Sequence, residues 1–507
     1  MSAFSGAQYS HPCVGRPARP LEIDMANTTL LPNFVDGRWV PSTATGHVDV
    51  TNPARGVVIA RTPLSPGKDV DTAVRAASAA FPGWSETPPV VRARSMFRFK
   101  QLLEEHAEDI ARLVTTEHGK TLDESRGSVR RAIECVEVAC GAPSMLMGHS
   151  LENVSSGIDC VAMRQPVGVC AAIAPFNFPA MVPLWFLPFA VVCGNTFVLK
   201  PSEQVPLSMQ KMFELLATCD LPPGVINLVH GGKDVVEAIC DHPDIKAVSF
   251  VGSTPVARLV YQRATHAGKR VQALGGAKNF IVVMPDADLD RAMPIIAESF
   301  YGCAGERCLA GSILVPVGDS HAEVRDRMVA VAESLRVGDG LEPGVDMGPV
   351  ISAKHRERVL GYVEKGISEG ARLVADGRAR TLPSDGYFVG PTVFDQVSLG
   401  MSIGREEIFG PVATIAPVRS VDEVFEMMQL HPNANATSIF TSSGKSAREF
   451  ARRATASMVG VNIGVAAPMS YFPFGGARDS FFGDLKVHGR DAFAFYTDQK
   501  VTISRWF

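Results

Sequence analysis

Ala247-Val-Ser-Phe-Val-Gly-Ser-Thr-Pro255 reads as an apolar β-strand that passes through a Gly-Ser turn into the first turn of a helix, because Ser-Thr-Pro is a helix-start signal. Two similar segments precede it. Val167-Gly-Val-Cys-Ala-Ala-Ile173 reads as a buried strand. Thr196-Phe-Val-Leu199 reads as another, ending at Lys200-Pro201-Ser202-Glu203, after which Leu207 to Leu216 has helical spacing. Strands and helices alternating between short Gly/Pro punctuation predict an α/β fold with a mostly parallel sheet. A strand, a Gly-Ser turn and a helix N-terminus can cradle a pyrophosphate, since free backbone N–H groups and the helix dipole both favour an anion. The G-x-G-x-x-G fingerprint is absent, however, and Gly-Ser before a helix is as readily a plain cap.

Composition narrows the function classes. The 507 residues, 46% of them hydrophobic and 20% charged, are enough for two or three packed cores and too apolar for a disordered chain. A net charge of −4 gives no electrostatic reason to expect nucleic acid or an anionic membrane as partner, so small molecules are expected. Ten cysteines are scattered without a C-x-x-C pair, which fits a reducing compartment and suggests no metal site. The stretch Pro166 to Leu199 carries no charge and raises a membrane-spanning reading. Pro175, Pro179, Pro183 and Pro188 interrupt it, and Asn177 and Asn195 would lie unpaired in hydrocarbon, so a buried strand, loop and core helix are expected instead. The first 24 residues hold Arg16 and Arg19, no acid before Glu22 and no apolar signal core. Residues 1–27 are therefore expected to be a disordered extension. The expected location is cytoplasmic, or the mitochondrial matrix if that extension is a transit peptide.

The segment carrying chemistry is Tyr301-Gly-Cys-Ala-Gly-Glu-Arg-Cys308. A cysteine after small residues and beside an arginine suits a thiolate nucleophile, because the cation lowers the thiol pKa and the small residues admit a substrate. Taken alone, Cys308 reads more readily as a buried structural cysteine, and only the other segments reverse that. Gly366-Ile-Ser368-Glu-Gly370 matches a serine-nucleophile pattern but follows a charged helical stretch, so no strained elbow is expected there.

Taken together, six motifs in order resemble the aldehyde dehydrogenase superfamily, from about Leu30 onward. They are Pro175-Phe-Asn-Phe-Pro179, Lys200-Pro-Ser-Glu203, Phe250-Val-Gly-Ser253, Gly305-Glu-Arg-Cys308, Glu406-Glu-Ile-Phe-Gly-Pro411, and Pro473-Phe-Gly-Gly476 followed by Tyr496-Thr497. The resemblance implies a Rossmann-like NAD domain (28–147 and 164–278), an α/β catalytic domain (279–479), and a small oligomerisation arm (148–163 and 480–507) in a homodimer or homotetramer. It assigns Cys308 as the nucleophile, with Asn177 and the Cys308 backbone N–H as donors to the oxyanion. Lys200 and Glu203 would hold the adenine ribose, Ser253 the pyrophosphate and Glu407 the nicotinamide ribose, with Phe176 and Phe409 nearby. A carboxylate on the ribose hydroxyls favours NAD over NADP, whose 2′-phosphate it would repel.

One departure redirects the chemistry. Hydrolytic relatives carry Leu-Glu-Leu-Gly-Gly-Lys, whose Glu activates water, whereas this chain reads Val271-Gln-Ala-Leu-Gly-Gly-Ala-Lys-Asn279. Aligning on Lys278 puts Leu274 at the Glu position, and aligning on Gly275-Gly276 puts Ala273 there. Without a base, water is a poor nucleophile toward a thioester, while a thiol ionises usefully unaided. The absence narrows the resemblance to the CoA-acylating methylmalonate-semialdehyde dehydrogenase branch, with coenzyme A as co-substrate. Gly276-Ala-Lys-Asn279, Phe176, Ala304-Gly-Glu-Arg-Cys308 and Asn462-Ile-Gly-Val-Ala-Ala-Pro468 match that branch. Its β-carboxylated aldehyde needs cations, and Arg307 and Arg131 match its carboxylate-binding arginines, although Arg130 is adjacent. The expected products are propionyl-CoA or acetyl-CoA, CO2 and NADH, in valine or inositol breakdown. Phe280 and Ala257 depart from the branch pattern. A hydrolytic aldehyde dehydrogenase with a substitute base and a noncatalytic relative remain the alternatives.

Overall fold

The computed structural model describes residues 30–507, and the expectation about residues 1–27 falls outside them. Two sheets dominate. The first has eight strands, ordered Arg38–Val40, Asn33–Val35, Ile226–Leu228, Thr196–Lys200, Val169–Ile173, Ile245–Val251, Arg270–Leu274 and Phe481–Phe482. Its central strands are parallel and its edges antiparallel. Val169–Ile173 is buried along its whole length, which is why it reads as a continuous apolar run rather than an alternation. It begins two residues later than the sequence suggests. The Val167 and Gly168 N–H groups donate to the Asn195 side chain at 2.8 and 3.0 Å instead of to a neighbouring strand. The same amide donates to the Tyr496 carbonyl at 2.8 Å, so Asn195 is fully paired inside the protein.

The second sheet has seven strands, ordered Arg372–Ala375, Thr392–Asp395, Val412–Ile415, Gly311–Pro316, Asn279–Val283, Ala436–Phe440 and Met458–Val461. All neighbours are parallel except the first pair. A three-stranded antiparallel sheet combines Thr497–Arg505, Ile158–Pro166 and His149–Ser155. The Pro166 to Leu199 stretch folds as a strand, a short 3-10 turn over Val182–Trp185, a helix over Leu187–Val192 and a second strand. Among the described residues no helix is long and apolar enough to cross a membrane. Ser368 ends the helix Ala353–Ser368, with its hydroxyl donating to the Lys365 carbonyl at 2.9 Å, so the serine pattern there is a helix end.

Several motif residues have tertiary reasons. Tyr496 is buried, and its hydroxyl lies 2.8 Å from that of Ser249 on the strand Ile245–Val251, joining the C-terminal segment to the first sheet. Gly305, at φ +76°, lies against Gly410, whose carbonyl oxygen would be 2.3 Å from any Cβ at position 305. Gly-Glu-Arg-Cys and Glu-Glu-Ile-Phe-Gly-Pro thus meet backbone to backbone. Phe280 packs in the core of the second sheet and Ala257 against the first, so neither departure faces the cysteine.

Candidate active site

Cys308 sits between the tight turn Gly302–Gly305 and the strand Gly311–Pro316. Cys303 and Ala304 both adopt left-handed backbone conformations (φ 51°, ψ 36° and φ 51°, ψ 32°), which non-glycine residues hold only when their surroundings impose them. The Cys308 carbonyl accepts from Asn279 Nδ2 at 3.0 Å and from Asn435 Nδ2 at 2.9 Å, so one side chain at the start of a second-sheet strand and one just before another pin the Cys308 backbone. From the other side, Asn177 Nδ2 donates to the Glu306 carbonyl at 3.0 Å, while Lys120 Nζ donates to the Asn177 carbonyl at 2.5 Å. Asn177 and Cys308 are therefore held on one short loop contact.

The electrostatics of Cys308 differ from the sequence expectation. Burial pushes its thiol up to about 12, and the carboxylate of Glu407 adds to the rise. Arg307 lines the same cavity and its charge lowers the thiol, but by less than burial and Glu407 raise it. The guanidinium lies over Gly302, with Nε 3.2 Å from Cys303 Sγ and Nη2 3.3 Å from Glu124. The arginine beside Cys308 in sequence thus has its hydrogen bonds with Cys303 and Glu124.

A cavity of about 430 Å³ opens at the thiol. It is lined by Cys308, Arg307 and Arg131 together, alongside the acids Asp123, Glu124 and Glu298. Arg131 is held by Glu134 at 3.2 Å and donates to the Pro468 carbonyl, which joins it to the Asn462–Pro468 motif. Arg130 faces outward, with 59% of its side chain exposed, so the adjacent arginines are separated by helix phase. Ala273 and Leu274 are buried hydrophobics of the first sheet, and neither lines this cavity.

The residues assigned to a cofactor lie around the carboxyl ends of the first sheet and on the facing loop. Lys200 Nζ pairs with Glu203 at 2.7 Å; burial alone would raise the Glu203 carboxyl, but the lysine's charge and hydrogen bond outweigh it and hold it low. An ionised carboxylate offers acceptors suited to ribose hydroxyls. Ser253 precedes the helix Thr254–His266 with an exposed side chain that makes no cap bond, leaving that helix end open to an anion. Glu407 accepts from the Ala277 N–H at 2.9 Å, and burial pushes its carboxyl up to about 7. A Cβ on Gly276 would come within 2.4 Å of that carboxylate, which accounts for the second glycine of the pair. Phe176 and Phe409 meet edge to face at 5.8 Å. Among the described residues no group of three or more His, Cys, Asp or Glu converges as a metal centre would.

The sequence profile of the aldehyde dehydrogenase family matches residues 39–502. The chain belongs to the aldehyde dehydrogenase family. It is 49% identical over 487 residues to malonate-semialdehyde dehydrogenase 1 of Geobacillus kaustophilus (strain HTA426), covering 96% of this chain and all of that one. It is 50% identical over 482 residues to malonate-semialdehyde dehydrogenase 2 of Geobacillus thermodenitrificans (strain NG80-2), covering 95% and 100%. Among solved structures, a methylmalonate-semialdehyde dehydrogenase of Oceanimonas doudoroffii superposes with a TM-score of 0.93 at 45% identity, over 94% of this chain and 98% of that one. An aldehyde dehydrogenase of Bacillus cereus in complex with NAD+ gives 0.91 at 31% identity, over 97% and 99%.

Sequence reasoning within this family missed Lys120, Glu124 and Asn435. Thr121-x-x-Glu124 is a capping-box pattern that could have drawn attention to Glu124. Asn279 lay in a quoted motif without a role. Nothing local distinguishes Asn435, whose importance comes only from the strand it precedes.

Proposed function

We propose that this chain is an NAD-dependent, CoA-acylating dehydrogenase of malonate semialdehyde or methylmalonate semialdehyde. The observation that carries this reading is the shared cavity. One cysteine nucleophile and two arginines line it, and the position of the hydrolytic base holds Ala273 or Leu274. The names of its relatives agree with that substrate class.

The arginines Arg131 and Arg307 bind and orient the substrate's carboxylate. Cys308 Sγ adds to the aldehyde carbon, and the Asn177 amide with the Cys308 backbone N–H receives the charge that develops on oxygen. Losing one such donor typically lowers the rate about 100-fold to 1000-fold. Bound NAD supplies the hydride acceptor, and Lys200, Glu203, Ser253, Glu407, Phe176 and Phe409 are the residues that would hold it. Oxidation leaves a carboxylated thioester on Cys308. Its C–C bond to the carboxylate breaks, CO2 departs, and the electron pair enters the thioester carbonyl as an enolate that is then protonated. The thiolate of coenzyme A attacks the acyl carbon and expels the Cys308 thiolate.

Incubating the protein with NAD and each semialdehyde, with and without CoA, tests the reading. NADH formation that depends on CoA and yields acetyl-CoA or propionyl-CoA is expected. A free acid formed at the same rate without CoA would overturn it and point to another base, such as one of the cavity's carboxylates.

A further inference from the structure

We infer that Glu124 is a positioning residue that sets the spacing of the two arginines for a short carboxylated aldehyde; the inference rests on the reading of the cavity given above. Glu124 stands at the third position of the helix Leu122–Cys140, in a capping box with Thr121. In that role its Oε2 accepts from the Thr121 N–H at 2.9 Å. Its Oε1 has two more donors from outside the helix, the Cys303 N–H at 2.5 Å and Arg307 Nη2 at 3.3 Å. One carboxylate therefore joins the start of this helix to both the strained turn before Cys308 and the arginine beside it.

The helix turns this joint into a ruler. Glu124, Gly127, Ser128, Arg131 and Cys135 all line the cavity, at three, four, seven and eleven residues from Glu124, which places them on one helical face. Arg131 lies two turns beyond Glu124, about 10 Å along the axis. Fixing Arg307 against Glu124 thus fixes its distance from Arg131. Arg307 is held on two further sides, by Cys303 Sγ and by Gly302, where a Cβ would come within 2.6 Å of the guanidinium carbon. Its remaining acidic contact, Glu298 at 3.5 Å, has a side chain 72% exposed and is free to give way to a substrate carboxylate. An acid behind the arginine lowers the net positive charge of the site. What it contributes is a single orientation of a planar fork, on which bidentate carboxylate binding depends.

Glu124→Ala and Glu124→Gln, compared with the unaltered chain on malonate semialdehyde and on propanal, test the inference, with NAD and CoA present. For Glu124→Ala the ratio of kcat/KM for the carboxylated aldehyde over propanal should fall about tenfold, mainly through KM for the carboxylated one. Glu124→Gln should recover most of the ratio, since its amide oxygen can still accept from Cys303 and Arg307. If Glu124→Ala does not fold, Glu124→Asp carries the same comparison and should lower the ratio because its carboxylate is one methylene shorter. An unchanged ratio, or equal losses on the two aldehydes, would reduce Glu124 to a helix cap and overturn the inference while leaving the function standing. An unaltered chain that does not prefer the carboxylated aldehyde would overturn both.

Discussion

The thiol of Cys308 is raised by its own site, since burial and the nearby Glu407 both disfavour the thiolate. With an ionisation at about 12, the reactive fraction in the cofactor-free protein is small at neutral pH and grows as protons are withdrawn. Alkylation of Cys308 by iodoacetamide, followed by peptide mass spectrometry, should accelerate about tenfold per unit between about pH 7 and about pH 9, with no plateau. A plateau below about pH 9 would mean that the thiol ionises early and that Arg307 outweighs burial and Glu407. Sequence adjacency suggested a cation acting on the nucleophile. The fold pairs that cation with Cys303 and Glu124, and its lowering of the thiol is outweighed by burial and by Glu407.

At the scale of elements, one helix is capped by another. Glu117, near the end of the helix Ala107–His118, accepts from the Leu207 N–H at 2.6 Å, the Ser208 N–H at 3.0 Å and the Ser208 hydroxyl at 2.5 Å, all at the start of the helix Leu207–Leu216. Glu117→Ala would leave these buried donors without a partner. It should destabilise the protein by about 2–4 kcal/mol, measured by denaturant unfolding at matched protein concentration. A change below about 0.5 kcal/mol would show that water replaces the carboxylate. The range Leu207 to Leu216 was legible from its apolar spacing, and the structure returns the same bounds. Its cap was not legible, because the capping residue lies some ninety positions away and an acid near a helix end reads locally as solvent-facing. Strand ends were legible to within about two residues, failing at Val167 where the Asn195 side chain takes over the hydrogen bonds of the ladder.

For the whole molecule, the three-stranded sheet is the outlying feature. Its strand His149–Ser155 is exposed throughout, with Leu151 at 64% exposure, and Ile503 on the strand Thr497–Arg505 is 71% exposed, an apolar surface that gains from leaving water. We propose this sheet as the subunit contact of a homodimer or homotetramer. Replacing Leu151 and Ile503 together by Lys should then yield a smaller species by size-exclusion chromatography with light scattering. An unaltered mass would place the contact elsewhere.

What the sequence by itself determined was the α/β class, the family carried by its motifs in order, and the absence of a carboxylate at Ala273 and Leu274. Each of these is written in short contiguous stretches, where backbone conformation, burial pattern or residue type carries the information locally. Only the tertiary structure decided that Arg131 rather than Arg130 lines the cavity at Cys308, that Arg307 pairs with Glu124 and Cys303, and that Asn279 and Asn435 hold the Cys308 carbonyl. These pairings join residues from different elements, and a hydrogen bond or an ion pair depends on separations of a few ångströms that chain order does not record.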